Sequence, residues 1–153
     1  MGGRARGFYR WPAGKFPNLK ENNSVITSNS NNNYNCIAWA AGINDEWWWP
    51  VGREYWPPKV PRKLIVTAFV QAFGTRGYVK CKNGNHEEGF EKVAVYASKT
   101  ATGKLVPEHA ARQLIDGRWT SKMGSDEDIE HLTVNDVGGP EYGKVVCYMR
   151  RPC

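Results

Sequence analysis

Lys92-Val93-Ala94-Val95-Tyr96-Ala97 and, further on, His109-Ala110-Ala111-Arg112-Gln113-Leu114-Ile115 followed by Asp116-Gly117 decide the class of this fold. Short runs rich in β-branched and aromatic residues read as strands, and an Asp-Gly pair closing such a run reads as a hairpin. Arg118 to Met123 then returns as a partner strand. Before this region, Tyr78 to Cys81 reads as a short strand and Lys82-Asn83-Gly84-Asn85 as a turn. After it, Asp126 to His131 reads as a short acidic helix and Tyr142 to Met149 as the closing strand.

Upstream the pattern is different. Tyr34-Asn35-Cys36-Ile37-Ala38-Trp39-Ala40-Ala41-Gly42 suits a buried helix, with Asn33 or Asn35 as its N-cap and Gly42 as its stop. Pro61 opens a second helix of about 13 residues, on which Ile65, Phe69, Ala72 and Phe73 share a face. Between them, the prolines and glycines of residues 47–61 forbid regular structure. Trp47, Trp48 and Trp49 read as a cap on the core; Tyr55 and Trp56, beside Arg53 and Glu54, read as cleft residues. Helices first and an antiparallel meander after them give an α+β class, with N-terminal helices packed on an antiparallel sheet.

Residues 1–33 read as a basic, Asn/Ser-rich arm or linker. Arg4, Arg6, Arg10 and Lys15 alternate with Gly and Pro, and Val25-Ile26 is its short apolar patch. Residues 34–153 then form a single domain. The chain has 153 residues, 41% hydrophobic and 24% charged, which is a globular balance. No apolar run approaches the roughly 20 residues of a membrane span. Residues 1–30 lack the apolar stretch of a Sec signal, which predicts a cytoplasmic protein or one exported by a non-Sec route. Lys+Arg 21 against Asp+Glu 15 leaves a net charge of +6, compatible with an anionic partner for the basic arm. The four cysteines, Cys36, Cys81, Cys147 and Cys153, contain no CxxC pair and read as free thiols. Cys81 and His86 would make half a metal site with no second half, so neither metal nor cofactor is expected.

Cys36 falls in the first turn of a helix, where the dipole and free backbone N–H groups favour a thiolate and an oxyanion. A thiolate nucleophile also needs a general base, and His109, opening a strand after Pro107-Glu108, is the candidate. The same two residues have a plainer reading: a cysteine in an Ala-rich helix fills core, and a histidine at a strand start is satisfied locally.

This segment order resembles that of the NlpC/P60 peptidases, a branch of the papain-like cysteine hydrolases. The matching pieces are Asn35-Cys36-Ile37-Ala38-Trp39-Ala40, the strand Lys92 to Ala97, and His109 through Asp116-Gly117 to Ser121. Tyr34 to Trp39, Trp47 to Pro50, His109 to Gln113 and Trp119 to Lys122 are also similar to a group of small bacterial proteins without an assigned function. The NlpC/P60 resemblance implies a papain-like domain in which Cys36 attacks an amide carbon. His109 would act as base and then as acid, and a third polar residue would orient it. The substrate implied is a peptide or peptidoglycan-like amide, with Tyr34, Tyr55 and Trp56 binding it. Asn35 stands where that family often has Asp. Family spacing puts the third residue at Ser121. A two-residue Asp-Gly loop would instead pair Ile115 with Arg118 and put Thr120 and Lys122 on the face of His109. His131 and Asn135 could also fold back to the site. Two other functions compete with the hydrolase. One is a basic binding module for nucleic acid or another anionic partner, although no RRM, KH or helix-turn-helix signature is present. The other is a papain-like fold without activity.

Overall fold

The computed structural model describes residues 14–123 and 126–153. The arm cations Arg4, Arg6 and Arg10 lie outside the described residues. Seven strands form one sheet: β1 (Ser24–Ile26), β2 (Val79–Cys81), β3 (Phe90–Lys99), β4 (Leu105–Gln113), β5 (Trp119–Lys122), β6 (Asp128–His131) and β7 (Lys144–Pro152). The spatial order is β1-β6-β5-β4-β3-β7-β2, and every neighbouring pair is antiparallel. Two short helices accompany it, α1 (Cys36–Ala40) and α2 (Val66–Gly74), with a 3-10 turn over Val134–Val137.

The expected α+β, papain-like arrangement of helices packed on a sheet is therefore corrected to a β-rich fold. Two physical reasons account for it. Both helices are short. The chain turns out of α1 at Gly42, and α2 begins only after Ile65, an extended N-cap at φ −132° and ψ 150°, four residues beyond Pro61. Segments read as non-strand also join the sheet. Asp128-Ile129-Glu130-His131, expected as a helix, alternates with period two. Ile129 and His131 are buried on one side, while the half-buried Glu130 reaches Arg118 at 3.1 Å on the other. β1 comes from the stretch read as an arm. It pairs Val25 with Glu130, and Phe16 and Leu19 of the same stretch are buried.

Because strand side chains alternate, the sheet separates two apolar layers. On one face Val93, Val95, Ala110, Cys147 and Met149 pack against α1, α2 and the Trp-rich loop through Ile37, Phe69, Phe73, Trp48 and Trp56. On the other face Ala94, Tyr96, Ala111, Trp119 and Ile129 pack with Phe16, Leu19, Met123, Val137 and Tyr142. A central strand covered on both sides reads as a nearly continuous apolar run, which is what residues 93–97 show.

The turn between β4 and β5 fixes which residues share a face. Leu114 and Arg118 close it (Leu114 N–H to the Arg118 carbonyl, 2.7 Å), and Gly117 takes φ +91°. The loop is thus three residues, Ile115-Asp116-Gly117, with the glycine in the left-handed position that such loops need. Gln113 pairs with Trp119 and Arg112 with Thr120, so Ser121, and not Thr120 or Lys122, lies on the His109 side.

Candidate functional site

Asn35 caps α1 and also ties it to the Trp-rich loop. Its Oδ1 accepts from Ala38 N–H (3.2 Å) and Trp48 N–H (3.0 Å), and its Nδ2 donates to the Trp48 carbonyl (2.7 Å). An aspartate could accept both bonds but could not donate the third, which explains asparagine at this position. Cys36 follows as the first helical residue and is buried. Backbone groups of Ala110, Ile37 and Cys36 itself, and the charge of Lys122, favour its thiolate. Burial outweighs them and pushes the thiol up to about 11.

Cys36 and Ala110 belong to the helix-side layer. His109, one residue earlier on β4, points through the other face, where its ring stacks on Tyr142 (centroids 3.9 Å) and meets Tyr96 edge-on (5.2 Å). The structure therefore does not bring Cys36 and His109 together; the sheet lies between them.

It does bring together His109, Ser121 and His131. Ser121 Oγ lies 3.0 Å from His109 Nε2 and 2.8 Å from His131 Nε2, and His131 Nδ1 lies 2.9 Å from the Thr133 carbonyl. The bonding partners assign the protons. A carbonyl only accepts, so neutral His131 carries its proton on Nδ1, and its Nε2 accepts from the Ser121 hydroxyl. The Ser121 oxygen is then free to accept from His109 Nε2–H. His109 Nδ1 is left as a buried acceptor without a hydrogen-bond partner among the described residues. Burial holds His109 well below its usual range, with His131 adding to the effect. Burial also pushes His131 down to about 4, against the Thr133 bond and the Asp136 charge, which both favour its cation. Both rings are thus neutral near pH 7. Ser121 and His109 are fully buried (0% exposed), so this chain is a packed polar network spanning β4, β5 and β6.

On the helix side, the Tyr34 hydroxyl donates to Asp128 Oδ2 (2.8 Å), and Lys122 lies over the Tyr34 ring (4.9 Å) while donating to the carbonyls of Asn31 and Asp126. Burial raises the Asp128 carboxyl and lowers the Lys122 ammonium. Thr120 faces the same way. It accepts from Trp39 Nε1 (3.0 Å) and donates to the Ile129 carbonyl (3.1 Å). Of the expected substrate-binding aromatics, Tyr34 and Trp56 are core residues, and Trp56 Nε1 donates to the Pro61 carbonyl (3.0 Å). Tyr55 is exposed, with its ring 5.4 Å from that of Trp48. Asn135 is exposed, and its carbonyl accepts from Asn18 Nδ2 (3.1 Å), away from the His109–Ser121–His131 network. Composition does not single out Asp128 and Asp136, because the stretch that holds them reads as helix and loop. The alternation over residues 128–131 was the available signal.

Among the described residues no three His, Cys, Asp or Glu side chains converge as a metal site, and no helix is long and apolar enough to cross a membrane. A family profile described as a domain of unknown function, DUF7689, matches residues 25–150. The chain belongs to the DUF7689 family. The match begins inside β1 and ends inside β7, so it takes in β2 to β6 whole and most of the two strands at its ends. No curated protein and no solved structure matches the chain.

Proposed function

We propose that this protein is a binding module for an anionic partner. A cysteine hydrolase working through Cys36 and His109 needs the two groups within hydrogen-bond reach, and they belong to opposite layers. The observation that favours binding is the basic corner at the β2 end of the sheet. Arg76, Lys80 and Lys82 are exposed there and make no ion pair among the described residues. Arg151 joins them through its bond to the Arg76 carbonyl (2.8 Å). Nearby Glu87 and Glu91 are already engaged, by Lys92 and Arg150 and by Arg112 and Arg151. Cations without local partners concentrate positive potential and attract a polyanion.

Retention on a heparin column tests this reading. The protein is expected to elute at a salt concentration well above that of an Arg76→Glu, Lys80→Glu double variant, while Cys36→Ala elutes with the wild type. Equal elution of the double variant and the wild type would overturn it.

A further inference from the structure

We propose that the outer edge of β2 is a docking strand, onto which an extended acidic segment of a partner protein adds as a further antiparallel or parallel strand. This rests on the anion-binding reading above and names the partner and its mode of attachment. Among the described residues β2 is the terminal strand of the sheet and pairs with β7 alone, through Val79–Arg150, Lys80–Met149 and Cys81–Tyr148. Among the described residues no backbone hydrogen bond outside that ladder reaches residues 79–81. Outward N–H and C=O groups on such an edge form a template for another strand.

The side chains on this edge select what can pair there. Lys80 is exposed on the helix-side face, opposite Met149 and close enough to Cys147 to favour its thiolate, and Arg151 lies on the same face. Val79 is 62% exposed on the other face, beside Arg150, which shares the carboxylate of Glu87 with Lys92. An added strand therefore meets the Lys80 ammonium with one set of alternating residues and the Val79 side chain with the other. The matching sequence alternates acidic and β-branched residues. A second copy of this chain is a poor occupant, because antiparallel pairing of two β2 edges would bring their lysines together. Nucleic acid is also disfavoured. Among the described residues Tyr55 is the one exposed large aromatic, and it lies in the Trp-rich loop; Tyr148 and Phe90, nearer β2, are half-buried.

Fluorescence anisotropy with the whole protein tests the proposal. The probe is a labelled alternating Glu-Val peptide. Its controls are the same peptide with every second backbone nitrogen methylated, prepared in both phases, and a single-stranded oligonucleotide. The unmethylated peptide is expected to bind, and methylation in one phase to weaken it on the order of tenfold by removing the ladder bonds. Lys80→Glu should weaken it comparably with an unchanged melting temperature, and Val79→Thr should weaken it less. Equal binding of all methylated and unmethylated peptides, or tighter binding of the oligonucleotide, overturns strand addition while leaving the anion-binding reading in place. No binding of any probe, together with heparin elution unaffected by the double variant, overturns both.

Discussion

Ser121 is the residue on which the buried network turns, because one hydroxyl satisfies two imidazole nitrogens at 3.0 and 2.8 Å. Ser121→Ala leaves a buried N–H on His109 and a bare acceptor on His131. Each unsatisfied group costs about 1–3 kcal/mol, so the variant is expected to lose roughly 2–6 kcal/mol in urea unfolding. A loss below about 0.5 kcal/mol would mean that water replaces the hydroxyl and the network is not dry. Cys36 gives a second prediction at this scale. Its thiol is buried and pushed up to about 11, whereas Cys153 is exposed. Iodoacetamide at neutral pH should modify Cys153 in the folded protein and leave Cys36 unmodified until denaturant is added, as read by peptide mass spectrometry. Rapid labelling of Cys36 in the native state would restore the case for a reactive thiol. The sequence made Cys36, His109 and Ser121 legible as chemistry-bearing residues. It could not show that the first two part company. That depends on the parity of a single position: Ala110 faces the helix layer, so His109 cannot.

At the scale of elements, β3 and β5, with the hairpin that leads into β5, followed from local patterning, since apolar and β-branched runs around Asp116-Gly117 carry their own signal. Elements held by distant partners were not legible. β1 is three residues in a polar stretch, and its strand character comes from pairing with β6 more than a hundred residues away. β6 looked helical because its acidic residues outweigh its single Ile129 in a composition-based reading. The hairpin loop is one residue longer than Asp116-Gly117 suggests, because Ile115 also enters it and is 91% exposed. The start of β7 offers a direct test of how tightly the elements are joined. Gly143 has φ +75°, and a Cβ there would lie 2.0 Å from the Ala97 carbonyl oxygen and 2.8 Å from Ser98 N. A left-handed backbone alone costs an alanine roughly 1–2 kcal/mol. The clash is with backbone of β3, which cannot rotate aside, so Gly143→Ala is expected to exceed that range in thermal or urea unfolding. A cost of about 1 kcal/mol or less would show that the β3–β7 junction yields easily.

For the whole molecule, the two buried imidazoles tie stability to pH. His131 is pushed down to about 4 from 6.5, and His109 lies well below 6.5. In the unfolded chain both rings take up protons as the pH falls through 6.5, while in the folded chain they stay neutral. The unfolded state then binds more protons, so stability is full above 6.5 and is lost as the pH falls toward 4. For His131 the loss amounts to about 3 kcal/mol over that window, and His109 adds to it. The groups facing these rings do not reverse the sign. Tyr96, held well above its usual range by burial, is uncharged there, and Asp136, which favours the His131 cation, is outweighed by burial. Asp128 acts in the opposite sense, since a raised carboxyl stabilises the fold toward acid. Burial is the cause of that rise, against the Tyr34 and Ser28 hydrogen bonds and the Lys122 charge. Urea unfolding followed from pH 7 to pH 5 should therefore show stability falling, with a slope approaching about 2.7 kcal/mol per pH unit if both rings contribute one proton each. Ser121→Ala keeps both rings buried and should keep the slope while lowering the whole curve. A stability that is flat from pH 7 to pH 5 would mean that the imidazoles titrate in the folded state, and with that the proton assignment along His109, Ser121 and His131 would fail.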